Sequence, residues 1–142
     1  MCIRDRVKDV PRYCGEERVT HFDVFDTNET KLNNKVIPIL DRLHEVSDQC
    51  SAVAYVIETH ADQRADAKYN MLLTEGRARA IQDYLLSLGM DYQRIVMNPL
   101  GETVPVAQGT SPGDHAKNRR VVIKPVHQSK IAEIKAGLFQ GY

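Results

Sequence analysis

Apolar residues recur along this chain with two different periods, and each change of period marks an element. Residues 18–25, RVTHFDVF, alternate loosely and are rich in β-formers, which predicts a first strand. Val36, Ile37, Leu40, Leu43 and Val46 then follow a helical period that ends near Ser47, with Pro38 in the first turn, where a missing N–H is cheap. The run SAVAYVIE at 51–58 is short and strongly apolar, as expected of a strand buried on both faces in a central or parallel position. Leu73, Ala80, Ile81, Tyr84 and Leu88 form the stripe of a second helix that begins at Asp66 or Ala67 and stops at Gly89. Gly76, inside it, costs about 1 kcal/mol against alanine. Residues 94–100 give a weakly marked third strand that Pro99 should stop, and residues 119–126, RRVVIKPV, a fourth. Between these, residues 101–118 contain two prolines and three glycines and read as a long loop, a length that is uncommon without a function. Residues 129–139 can form a short terminal helix.

The order βαβαββ, with a helix between each of the first three strands, predicts an α/β (α+β) sandwich: a four-stranded mixed sheet packed on two main helices. The boundaries expected are an irregular lead-in at 1–17, a folded domain at 18–126 and a tail at 127–142.

One position breaks the pattern of the second helix. Arg77 lies four residues after Leu73 and four before Ile81, so it shares their stripe. A guanidinium keeps its charge, and burying it alone costs several kcal/mol. The loop THADQRAD after the second strand doubles back toward this helix and carries Asp62, fifteen residues before Arg77, as one candidate anion. On residue type alone, a structural ion pair accounts for the two better than a binding site does, since most partly buried ion pairs bind nothing.

From Thr59 to Leu88 the chain resembles the OmpA-like peptidoglycan-binding domain, the type found in MotB flagellar stators and peptidoglycan-associated lipoproteins. The family pattern is roughly TD, ten residues, LS, two residues, RA, two residues, V, three residues, L. Asp62, Leu73-Thr74, Arg77-Ala78, Ile81 and Leu85 take these places without a gap, and Tyr69-Asn70 matches the usual YN. LGETVPV, KNRRVVI and the opening HFDVFD with IPILDRL extend the likeness to about residues 18–126.

The resemblance implies a non-catalytic module that anchors an envelope protein to the cell wall, in the periplasm, through the diaminopimelate of the peptidoglycan stem peptide. The end of that side chain is zwitterionic. Asp62 would take its ammonium and Arg77 its carboxylate. Asn70 would orient the same group or simply start the helix, Asn118 and Arg119 would line the site, and Thr74 would brace the helix. No catalytic residue, metal or cofactor is implied. The same domain that has lost its ligand would serve as a scaffold. Three positions depart from the pattern: Ala61 for Thr, Ala65 for Gly and Pro99 for Gly. Glycine is often used at positive φ, so another loop path is open here. His60 beside Asp62 reads as a solvated loop histidine and Arg120 as a strand-face charge.

The bulk numbers narrow the partners. With 19 Lys+Arg against 19 Asp+Glu, no general attraction to nucleic acid or anionic lipid is implied. No apolar run reaches membrane-spanning length, so a membrane link would run through a segment upstream. The opening MCIRDR resembles a translated sequencing adapter and is read as non-native; without it Lys+Arg is 17 and Asp+Glu 18. Cys14 and Cys50 then remain, and they either pair in an oxidising compartment or stand as two thiols. Oligomeric state is not legible.

Overall fold

The computed structural model describes residues 13–15 and 17–141, with the side chains of 138–141 left aside. The lead-in before Tyr13, including the adapter-like hexapeptide, lies outside the described residues. The elements are β1 (Val19–Phe22), α1 (Ile37–Ser47), β2 (Val53–His60), α2 (Ala67–Ser87), β3 (Ile95–Gly101), α3 (Pro112–Asn118), β4 (Arg120–His127) and α4 (Ile131–Gly141). The mixed four-stranded sheet and the two main helices are as expected.

The sheet order is β1-β4-β2-β3. β2 pairs in parallel with β3, while β4 is antiparallel to both β1 and β2 and separates them. The central β2 is buried on both faces, as its unbroken apolar run requires. Tyr55 and Ile57 face the main core with Leu40, Leu43 and Val46 of α1 and Ile81 and Leu85 of α2. Ala54 and Val56 point the other way, onto Val96, Ile131 and Ile134. The terminal helix α4 is therefore the cover of the second sheet face.

Four expectations need correction. β1 ends at Phe22 because Asp23 turns the backbone to φ 52°. β3 passes through Pro99, which sits on an edge strand opposite Thr59, where a missing N–H breaks no second ladder. The long loop contains α3, seven residues opened by a capping box in which Ser111 and Asp114 bond reciprocally. On α2 the most buried line is Asn70, Thr74, Arg77, Ala78, Ile81 and Leu85, whereas Leu72 is exposed. Polar residues occupy the inward face of its first half, which displaced the apolar stripe.

Turns are fixed by side chains bonded to backbone. Asn33 Oδ1 accepts from the N–H of Lys35 at 2.8 Å and Val36 at 3.2 Å, at the start of α1. Arg94 donates to the carbonyls of Ser47, Cys50 and Val53 and closes the turn between α1 and β2. Gly76 allows the loop before α1 to press on α2, since a Cβ there would stand 2.7 Å from Thr30 Cγ2. Cys14 and Cys50 form a disulfide, with Cα atoms 5.7 Å apart, across 36 residues of chain. It ties the entry of the domain to the end of α1. Replacing both cysteines by serine should lower unfolding stability by about 2–4 kcal/mol; urea denaturation of the two proteins, with and without reductant on the wild type, measures it.

Candidate functional site

An open hollow of about 250 Å³ lies at the end of the sheet where β2 leads into α2. Asp62, Arg64 and Asn70 come from this connection and the first turn of α2, Arg77 from further along the helix, and Arg119 from the entry to β4. Thr27 and Asn28 of the β1–α1 loop close the remaining side. Asn28 has φ 58°, a left-handed conformation that asparagine tolerates better than most residues.

Arg77 is buried at 4% exposure and bonds no carboxylate among the described residues. Its Nε donates to the Glu29 carbonyl at 2.8 Å and one Nη to the Asp26 carbonyl at 3.0 Å. Its guanidinium lies 4.8 Å from the centroid of the Phe25 ring, within cation–π range. Carbonyls and a ring face accept hydrogen bonds and partial charge but do not neutralise a cation. Burial accordingly pushes its pKa down. Asp62 is a candidate that the structure rejects as its contact partner: among the described residues no ion pair joins them.

Asp62 is held by other cations. Arg64 forks onto it, Nη2 to Oδ2 at 2.9 Å and Nε to both oxygens at 3.1 and 3.2 Å, and the Arg64 N–H donates at 3.0 Å. Arg119 donates through Nη1 at 2.8 Å and reaches Asp23 through Nε at 2.9 Å. Burial, the largest single influence, raises the Asp62 pKa, but the bonds from Arg64 and Arg119 together outweigh it and bring the value down to about 2. Two guanidinium groups thus hold the Asp62 carboxylate, and a third, that of Arg77, lines the same hollow without bonding it.

Asn70 lines the hollow, and its amide donates to the carbonyls of Asp62 at 2.9 Å and Ala65 at 3.2 Å and to Glu102 at 2.9 Å. It fixes the loop that carries Asp62. Asn118, expected to line the site, does not: its Oδ1 accepts from Val106 and Ala107 N–H and its amide donates to the Ala107 carbonyl, so it pins the loop before α3. Arg119, next in sequence, does reach the hollow. Thr74 braces as expected, accepting from the Gly101 N–H at 3.0 Å and bonding the Met71 carbonyl. Ala65, where the family pattern has glycine, does not have positive φ, so the position does not need glycine. Ala61 N–H donates to the Gly101 carbonyl at 2.8 Å.

His60 and Arg120 also differ from expectation. Both are buried. His60 Nε2 meets Glu58 at 2.9 Å, away from Asp62, and Arg120 donates to the carbonyls of Asn118 and Val104. By strand alternation the paired His60 and Arg120 lie on the sheet face of Ala54 and Val56, away from the main core, where Arg120 reaches the loop after β3. Arg64 and Asp23 were missed altogether. Spacing offered no signal for Asp23, but Arg64 lies two residues from Asp62, where a side chain can fold back on the turn.

The sequence model of the OmpA family matches residues 24–119. The chain belongs to the OmpA family. It is 36% identical over 99 residues to a peptidoglycan-associated lipoprotein of Buchnera aphidicola, covering 70% of this chain and 57% of that protein. A peptidoglycan-associated lipoprotein of Pseudomonas aeruginosa is 34% identical over 100 residues, covering 70% and 59%. The chain thus spans less than two thirds of the length of these relatives. The crystal structure of the peptidoglycan-associated lipoprotein from Burkholderia pseudomallei superposes with a TM-score of 0.68 at 23% identity, over 75% of this chain and 89% of that one, and shares the fold.

The Asp62 network has a pH signature. The folded pKa of about 2 lies below the ordinary 3.8, so its bonds contribute stability that is complete above pH 4 and is lost as pH falls through about 2. Asp62→Asn should cost about 1–2 kcal/mol at pH 7 and should flatten the loss of stability between about pH 4 and pH 2. Urea denaturation at pH 7, 4 and 3 reads both effects, and equal acid slopes for the two proteins would refute the pairing.

Proposed function

We propose that this domain binds peptidoglycan without catalysis, taking the zwitterionic end of a diaminopimelate side chain into the hollow. The observation that carries this reading is the buried Arg77 guanidinium, which no carboxylate bonds among the described residues and which lines an open site. A buried cation of this kind calls for an anion from outside. The ligand's carboxylate meets Arg77 and Arg119, and its ammonium meets Asp62. Asn70 acts as a positioning residue by fixing the Asp62 loop. Asn118 has no part in the contact.

Membership of the OmpA family and the names of the lipoprotein relatives support the same reading and favour a place on the periplasmic side of a cell envelope, with any membrane link outside this domain. Nothing among the described residues groups three or more metal-ligating side chains. A scaffold role without ligand is the second reading, favoured by the fact that Asp62 is already paired inside the chain.

Co-sedimentation with purified diaminopimelate-type sacculi separates these. The wild type should pellet with the sacculi, release no fragments and be indifferent to chelator. Arg77→Lys, which keeps the charge but loses the fork, and Asp62→Asn should each weaken binding about tenfold or more while circular dichroism shows a folded protein. A wild type that stays in the supernatant supports the scaffold. Released muropeptides would mean an enzyme. Binding should persist from neutral pH to about pH 3, because Asp62 stays ionised over that range.

A further inference from the structure

The carboxylate that should receive the ligand's ammonium is already full. A carboxylate accepts about four hydrogen bonds. Asp62 receives the Arg64 N–H, Nε and Nη2 and the Arg119 Nη1. An ammonium therefore finds no lone pair unless a donor leaves.

The donors differ in what else holds them. The Arg64 N–H belongs to the turn that shapes the loop. The Arg119 side chain is 19% exposed and is fixed from its other side by Asp23. The Arg64 side chain is 51% exposed, and its guanidinium bonds Asp62 alone among the described residues. It is the donor free to go, since its charge can pass directly into water.

We infer that the Arg64 guanidinium is an internal substitute for the ligand's ammonium, occupying Asp62 until a diaminopimelate side chain displaces it. This rests on the peptidoglycan reading above. The exchange is cation for cation, so Asp62 stays ionised and paired throughout. Arg77 and Arg119 remain to meet the carboxylate. Arg64 then limits affinity and makes the site selective: a carboxylate-only ligand gains nothing by displacing it, whereas a ligand with an adjacent ammonium replaces its bonds.

Calorimetric titration with an alanyl-glutamyl-diaminopimelate tripeptide tests this on the whole chain. Arg64→Ala should bind about two- to fivefold tighter than wild type, the range expected from removing one exposed competing ion pair. Arg64→Lys, a cation without the fork, should fall between the two. Asp62→Asn should abolish binding in both the wild-type and the Arg64→Ala backgrounds. If the wild type binds and Arg64→Ala binds equally or more weakly, the inference fails and wall binding stands; weaker binding would assign Arg64 to the ligand's carboxylate. If the wild type binds neither tripeptide nor sacculi, the peptidoglycan reading fails and takes this one with it.

Discussion

A guanidinium buried in α2, with no carboxylate bonded to it among the described residues, is the constraint around which this end of the molecule is arranged. Desolvating Arg77 is costly, and the fold answers with the carbonyls of Asp26 and Glu29 and the face of Phe25. Those groups belong to the β1–α1 loop, so the demand of one side chain shapes a segment some fifty residues away in sequence. Gly76 completes the fit by letting Thr30 approach the helix. The loop in turn supplies Thr27 and Asn28 to the wall of the hollow. The cation is held in place by carbonyls and a ring face, with no carboxylate bonded to it among the described residues.

The use of arginine here is consistent. Arg77, Arg94 and Arg120 all bond backbone carbonyls and each closes a connection between elements. Their planar, many-donor head suits this task, because several carbonyls of a turn can be met at once. Only Arg64 and Arg119 of the site meet acids, and both converge on Asp62. Arg119 also reaches Asp23, which links the end of β1 to the β2–α2 loop through the start of β4. The insertion of β4 between β1 and β2 makes this possible, since it brings three connections to one end of the sheet.

Much of the fold was legible because the apolar period is honest where elements bury hydrocarbon. The both-face burial of β2, the start of α1 and the stop at Gly89 all follow from it. It failed where polar side chains are buried. Asn70 and Thr74 lie on the inward face of α2, so the stripe read from Leu73, Ala80 and Tyr84 marks a flank of that face. α3 was hidden because Pro112 and Gly113 signal a loop, although proline is at home in the first turn of a helix. In the site, Asp62, Arg77, Asn70 and Arg119 were found by motif spacing, which names positions but not partners. Asn118 shows the limit: the motif places it beside Arg119, and side-chain direction at a helix end turns it to the opposite task.

The departures from the family pattern are better understood as compatible with the site than as damage to it. Ala65 occupies a backbone conformation open to any residue, so a glycine there would add freedom without relieving strain. Pro99 lies at the sheet edge, and the positive φ needed to leave β3 is supplied two residues later by Gly101, where a Cβ would stand 3.3 Å from the backbone of Met71. The hydroxyl absent at Ala61 is present at Thr59, whose Oγ1 donates to the Thr74 carbonyl at 2.9 Å, while the Ala61 N–H bonds Gly101. Strand end, helix and β3 are thus joined around the same corner by Thr59, Thr74 and Gly101. The position of Asp62, next in the chain, depends on that corner and on the Ala61 backbone, and needs no hydroxyl on the side chain before it.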